Sequence, residues 1–382
     1  MSEHPDSHAA KSDAKPPRSL PLDALRGLVM VWMALDHANL LVAQQHSSGE
    51  YWGGPFPHHQ TVLSFVTRFV THFSAPGFFF LMGVGMVLFA NARRKQGWSE
   101  WAVIGHFVLR GAILIALQFL IVNQAWALSP GGWGIEIYIG VLVALGGTMI
   151  LGSLLLRLEP MALLVLTLFL ALGGEWLMPH PDAWNEPVSV LGRILLLPGG
   201  DQHLWANYSI LPWLKLVTFG LLFGRWMVED AQKAFARALK VGLALLAAFV
   251  VIRAADGFGN IRPRAGDTWI DFLNPVKYPP SLAFTLLTTG VNLTMVGLFA
   301  RLGEKAQRYL QPLAVFGRAP LLFYLLHLFL YAGLGHWLTS HGTSIPEMYP
   351  YWLLGLASLY PLCLWYGRFK RRQPAHSVLR FF

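Results

Sequence analysis

Residues 20–42, LPLDALRGLVMVWMALDHANLLV, decide the fold, because they place two ionisable clusters on one helix long enough to cross a membrane. Asp23 and Arg26 lie three residues apart, so on a helix they share a face and can pair. Residues 27–35 carry no charge, and then come Asp36 and His37. At about 1.5 Å rise per residue, Asp36 sits roughly 15 Å deeper than Arg26, well inside a hydrocarbon layer about 30 Å thick. Ionisable side chains at that depth are costly and line polar interiors.

The chain on either side of this stretch is of the same kind. It has 382 residues, 54% hydrophobic and 13% charged, with mean hydropathy +0.47, and its apolar residues come in runs that can span a bilayer. The expected fold is all-α, a polytopic integral membrane helical bundle. Fifteen Trp and twenty-five Phe suit aromatic belts and a packed bundle. Hydropathy places about ten spans, at residues 23–44, 62–90, 101–122, 133–156, 161–178, 208–228, 241–255, 282–302, 313–338 and 349–366. They form one domain, 21–372, between a polar, disordered tail at 1–20 and a short tail at 373–382. The first eighteen residues are too polar, and the following run too long, for a cleavable signal peptide. Pro76-Gly77 predicts a kink in the second span. SVLGRILLLPG, at 189–199, is too short to span and is expected at the interface.

The formal charge of +9 follows topology rather than nucleic-acid binding, since the basic residues cluster in short loops. Twenty Lys and Arg fall on the N-terminal side of the membrane, five on the other and four within spans. Both termini are therefore expected to be cytoplasmic. The single cysteine, Cys363, excludes an internal disulfide and a multi-cysteine metal site, and no metal is expected. The chain shows no internal repeat, which argues against a transporter.

Depth arithmetic sorts the intramembrane polar residues into two layers. Arg26, His106, Arg110 and Arg318 lie near the cytoplasmic face on spans one, three and nine. Asp36, His37, Arg68, His72 and His327 lie in the middle or outer half on spans one, two and nine. The loop between spans one and two, HSSGEYWGGPFPHHQ, has no Lys or Arg and carries His46, Glu50, His58 and His59. A basic vestibule suits a ligand with several phosphates, because Arg makes bidentate charge-assisted bonds to phosphate oxygens. A histidine beside a carboxylate suits general-base or nucleophilic chemistry near neutral pH. Singly, each residue has a plainer reading: Arg26 and Arg110 can snorkel, and His327 can bond a backbone carbonyl. Their common depth on three helices favours a site. Neighbouring helical side chains point about 100° apart, so one of Asp36 and His37 must look to another helix. Asp36 is expected to face His72 or His327 and hold a neutral imidazole as base. The competing reading pairs Asp36 with Arg68 as a structural brace.

LDALRG followed ten residues later by DH, then TRFVTHFSAPGFFFLMG, NPVKYPPSL and FGRAPLLFYLLHLFL, resembles a family of bacterial multispanning proteins grouped with the catalytic domain of heparan-alpha-glucosaminide N-acetyltransferase. The resemblance runs over residues 18–372. It implies transfer of an acetyl or other short acyl group from cytoplasmic acetyl-CoA or another acyl-CoA to a sugar or glycan on the far side of a bacterial inner membrane. It also implies a catalytic pair made of a first-loop histidine and an asparagine near the end of span one. Asp36 stands at that asparagine's position, and His58 or His59 would be the histidine. Arg26, Arg110, Arg318, His106 and Arg68 are then candidates for the donor, and Asp36, His37, His72 and His327 for the chemistry. Expected partners are the bilayer, the CoA thioester and the glycan, with homodimerisation open. Two other classes stand beside this one. A transporter or flippase for a glycan or small anion would use the same arginines as a path, and a non-catalytic scaffold accounts for the hydrophobicity but not the layers. Release of free CoA from acetyl-CoA separates them.

Overall fold

A computed structural model describes residues 19–47 and 49–373, apart from the side chain of Arg371. The two expected tails, 1–20 and 373–382, lie almost wholly outside the described residues. Among the described residues, seven helical stretches are long and apolar enough to cross a membrane: Leu20–Ala43, Val62–Arg94, Glu100–Ala127, Ile210–Glu229, Ala231–Ala255, Leu282–Arg301 and Pro320–Leu338. The chain is an integral membrane protein. Two shorter apolar helices, Val141–Leu155 and Pro160–Trp176, and the last helix, Ile345–Arg372, stand where the other three spans are expected.

In chain order the elements are α1 (Leu20–Ala38), running on through a π-helical turn at Asn39–Ala43, α2 (Val62–Thr71), α3 (Ser74–Arg94), α4 (Glu100–Leu117), α5 (Asn123–Ala127), β1 (Ile137–Ile139), α6 (Val141–Leu155) and α7 (Pro160–Trp176). Then follow α8 (Val190–Leu195), β2 (Gly199–Gly200), β3 (Leu204–Ala206), α9 (Ile210–Glu229), α10 (Ala231–Ala255), α11 (Trp269–Phe272), α12 (Leu282–Arg301), α13 (Glu304–Gln307), α14 (Gln311–Gly317), α15 (Pro320–Leu338) and α16 (Ile345–Arg372).

The first helix is the hub, packing against α2, α3, α12, α14, α15 and α16. Its apolar positions Leu25, Val29, Met30 and Ala34 are fully buried, and small residues let a neighbour come close. A Cβ on Gly27 would fall on the carbonyl oxygen of Leu313, and one on Gly317 on that of Asp23, so α1 and α14 touch backbone to backbone. Gly27→Val should therefore force the pair apart and cost about 1–3 kcal/mol, as overpacking does. A lower unfolding temperature in detergent is the expected reading, and an unchanged one would contradict the close approach.

Two proline breaks position the polar residues. Pro76 has no N–H and clashes with the carbonyl four residues back, so the helix breaks at His72–Phe73, just beyond Arg68 and at His72 itself. Asn292 Nδ2 on α12 donates to the Phe73 carbonyl at 3.0 Å. The span expected at 313–338 is likewise two helices, because the residue before Pro320 disfavours helical backbone: Ala319 adopts φ −130° and ψ 51°. The break leaves Arg318 capping α14 and facing α1.

The span expected at 133–156 is shorter than the sequence suggests. Residues 137–139 instead form β1, which pairs in parallel with β3, while β2 lies antiparallel on the other side of β3. This three-stranded sheet takes β2 and β3 from the segment 179–207 and carries Tyr138 and Trp205 on its paired strands.

Candidate active site

One cavity of about 1780 Å³ runs beside α1, with lining residues from Ser19 to Leu40 of that helix and its turn. By helix rise that is roughly 30 Å, the thickness of a hydrocarbon layer. Its volume exceeds the roughly 300–1,000 Å³ of an ordinary small-molecule pocket.

The end near Ser19 is basic. Arg26, Lys95, Arg110 and Arg318 line it, and among the described residues Asp23 is the acid that lines this end. Arg26 Nη1 donates to Asp23 Oδ1 at 3.0 Å and to the Gly317 carbonyl at 3.1 Å, and Arg318 Nε donates to Asp23 Oδ2 at 3.3 Å. The carboxylate thus fixes two arginines from different helices while leaving most of their N–H groups uncommitted. Arg110 has no hydrogen bond or ion pair among the described residues, and Arg26 is near enough for their like charges to repel. Such an excess of positive charge in apolar surroundings fits an anionic ligand. The fourth expected member, His106, stacks on Phe89 with centroids 4.3 Å apart and does not line the cavity. Depth along α4 matched, but its turn of helix faces α3 instead.

Beyond an apolar stretch that includes Met33, Met82, Met86, Leu114 and Met149, the cavity reaches the second cluster. Arg68 is its centre. It donates through Nε and Nη2 to the two oxygens of Glu50, each at 2.7 Å, and through Nη1 to Asp36 Oδ1 at 2.5 Å. Thr71 Oγ1 donates to the same Asp36 oxygen at 2.8 Å. Arg68 therefore belongs to the far cluster, against the expectation that it serves the donor, and its fork is filled by two carboxylates. Asp36 does not face His72 or His327. Its third partner, after Arg68 and Thr71, is His46, whose Nε2 lies 3.3 Å from Asp36 Oδ1. With Nε2–H directed at the carboxylate, the other ring nitrogen is the proton acceptor, and His46 Nδ1 is buried with no hydrogen-bond partner among the described residues. His46 and Asp36 both line the cavity.

His72 turns to Glu50 at 3.2 Å instead. Glu50 comes from the first loop, and what draws it inward is backbone pairing: the N–H groups of Lys277 and Tyr278 donate to the Glu50 carbonyl at 2.8 and 2.9 Å, and Trp52 N–H donates to the Tyr278 carbonyl at 2.8 Å. The NPVKYPPSL segment thus clamps the loop into the bundle. Burial alone would push the Glu50 carboxyl up, but the Arg68 guanidinium and the His72 contact hold it well below the usual carboxylate range. His58 is exposed, His59 packs edge-on against Phe65 at 5.2 Å, and neither lines the cavity. The loop histidine that meets span one is His46, because the clamp at Glu50 carries the later part of the loop away from α1.

His37 and His327 form a second unit. His327 Nδ1 donates to the Phe323 carbonyl at 2.9 Å, since a carbonyl only accepts, so its Nε2 accepts from His37 Nδ1 at 2.7 Å. In neutral rings this leaves His37 Nε2 as a free acceptor, and His37 lines the cavity. Around both units stand Tyr51, Tyr138, Trp205 and Tyr208. Asn207 ties three of these together, accepting from Tyr51 Oη at 2.5 Å and Trp205 Nε1 at 2.6 Å and donating to Tyr138 Oη at 2.9 Å. His46, Glu50 and Lys277 are the site residues that sequence reasoning missed. For the first the signal was present, a histidine ten residues after Asp36 in a loop without Lys or Arg.

No curated protein matches the chain. The family model described as heparan-alpha-glucosaminide N-acetyltransferase, catalytic, matches residues 18–252. That segment holds Arg26, Asp36, His37, His46, Glu50, Arg68 and Arg110, and it ends before Lys277, Arg318 and His327. Since the match takes in more than half of the chain and members of both clusters, the chain belongs to the heparan-alpha-glucosaminide N-acetyltransferase catalytic-domain family.

Proposed function

We propose that this protein transfers an acetyl or other short acyl group from cytoplasmic acyl-CoA to a sugar or glycan acceptor on the opposite side of the membrane. The observation that carries this is the single cavity joining a basic end to a histidine–carboxylate end. Membership of the family adds acetyl transfer as the chemistry. The donor's phosphates meet Arg26, Arg110 and Arg318, its arm passes the methionine-lined stretch, and its thioester arrives beside His46 and His37. The aromatic faces held by Asn207 receive the acceptor. His46, oriented by Asp36, takes the acceptor's proton as the nucleophile attacks the thioester carbon. The C–S bond then breaks, and the imidazolium returns the proton to the departing thiolate. His37 is the weaker candidate for that base, because a neutral histidine rather than a carboxylate stands behind it. It accepts a hydrogen bond that orients the acceptor.

Purified protein in detergent, given acetyl-CoA with glucosamine or methyl glucoside, should release free CoA and acetylate one of the two. Removing one arginine from a phosphate contact loses about 1.5–3 kcal/mol, or roughly ten- to a hundredfold in affinity. Arg26→Ala and Arg318→Ala are expected to weaken CoA binding by that factor in calorimetry. Unchanged affinity in both folded variants would move the donor elsewhere.

A cavity as long as the membrane is thick also favours a second reading, a passage for a glycan or small anion. Uptake of labelled sugar into proteoliposomes without CoA release would select it.

A further inference from the structure

Lys277 is a site residue that neither cluster explains. It lies in NPVKYPPSL, is 2% exposed and lines the cavity. Its backbone N–H is used in the clamp on Glu50, but its ammonium has no hydrogen bond or ion pair among the described residues. Nζ lies 5.0 Å from the centroid of the Tyr278 ring. A buried ammonium without a partner is costly, and here both neighbouring carboxylates are already bonded to Arg68. Neighbouring charge supplies the reason it is tolerated. The charges of Asp36 and Glu50 attract Lys277 through space against the repulsion of Arg68, while its N–H donors stay free.

Resting on the acyltransfer reading above, we propose that Lys277 is a catalytic residue whose ammonium donates to the thioester carbonyl oxygen and stabilises the oxyanion formed during acyl transfer. In that step the acceptor's nitrogen or oxygen bonds to the acyl carbon and its proton goes to His46. The carbonyl electron pair moves onto oxygen beside Lys277, then re-forms the double bond as the C–S bond breaks and the thiolate leaves. Opposite charges thus develop at two places, imidazolium beside Asp36 and oxyanion beside Lys277. Preorganised donors of this kind act most strongly in a dry site.

The groups whose charges reach Lys277, or that touch it, are Asp36 and His37 on α1, Glu50 in the loop, Arg68 on α2, His72 capping α2, and Tyr278 beside it. Burial, aided by Arg68 and opposed by Asp36 and Glu50, lowers its amine to about 8. A donor role needs the ammonium, so kcat should fall as pH rises through that value.

The test compares wild type, Lys277→Met and Lys277→Arg in detergent, with acetyl-CoA and whichever of glucosamine or methyl glucoside the wild type acetylates. Losing one such donor costs about 10²–10³ in kcat. Lys277→Met should show that loss with CoA affinity, acceptor KM and unfolding temperature unchanged, and without the alkaline limb near pH 8. Lys277→Arg should recover part of the rate and keep it above pH 9. A raised acceptor KM with intact kcat would overturn the proposal in favour of an anion-binding lysine, and loss of stability in both variants would make Lys277 structural. Wild type without any acetyl transfer overturns the acyltransferase reading and this proposal with it, whereas an active wild type with an equally active Lys277→Met overturns this proposal alone.

Discussion

His46→Ala is expected to lower kcat for acetyl transfer by about a thousandfold or more, within the roughly 10²–10⁴ range for general acid–base catalysis. CoA affinity and unfolding temperature should stay near wild type. The reason is geometric. His46 sits in the first loop with one ring nitrogen on Asp36 at 3.3 Å and the other without a partner among the described residues. Its side chain braces no helix, whereas Asp36 also accepts from Arg68 and Thr71. Asp36→Asn should therefore lose activity and stability together, and His46→Ala activity alone. His37→Ala tests the alternative. Removing His37 also removes the donor to His327 Nε2, so a modest loss of rate is expected. If His37→Ala abolishes transfer while His46→Ala retains it, the base is His37, and the pairing of His46 with Asp36 serves only the loop.

Arg68→Met is expected to destabilise the protein by about 3–5 kcal/mol, the usual cost of stripping one partner from a buried ion pair. The side chain is 2% exposed and accounts for three charge-assisted bonds to two carboxylates. Without it Glu50 and the half-buried Asp36 lose their one directly bonded permanent cation, and Lys277 and Arg262 offset them only through space. They join α1, α2 and the first loop, so the damage spreads beyond one contact. Glu50→Gln placed on Arg68→Met removes one stranded charge and should restore part of the unfolding temperature without restoring activity. An Arg68→Met protein that unfolds at the wild-type temperature and has merely lost CoA affinity would return Arg68 to the donor site, where its depth alone had suggested it.

Much of this arrangement follows from residues 20–42. A helix with Asp23 and Arg26 at one end and Asp36 and His37 some 15 Å deeper can serve only if a polar interior runs beside it, and the cavity does so. Periodicity and hydropathy determined the helical membrane fold, and depth arithmetic determined that Arg26, Arg110 and Arg318 share one level and Asp36, His37, Arg68, His72 and His327 another. These are properties of position along a helix, which chain order specifies. Which side chain meets which depends on helix rotation, on proline breaks and on how loops fold back. Asp36 meets Arg68 and His46 rather than His72 or His327 because the break at His72–Phe73 re-aims α2 and because NPVKYPPSL hydrogen-bonds Glu50 into the bundle. His106 has the right depth but turns to Phe89. His46, Glu50 and Lys277 sit in loops, where hydropathy carries no depth information, and only tertiary pairing between two loops more than two hundred residues apart in the chain puts them in the cavity wall.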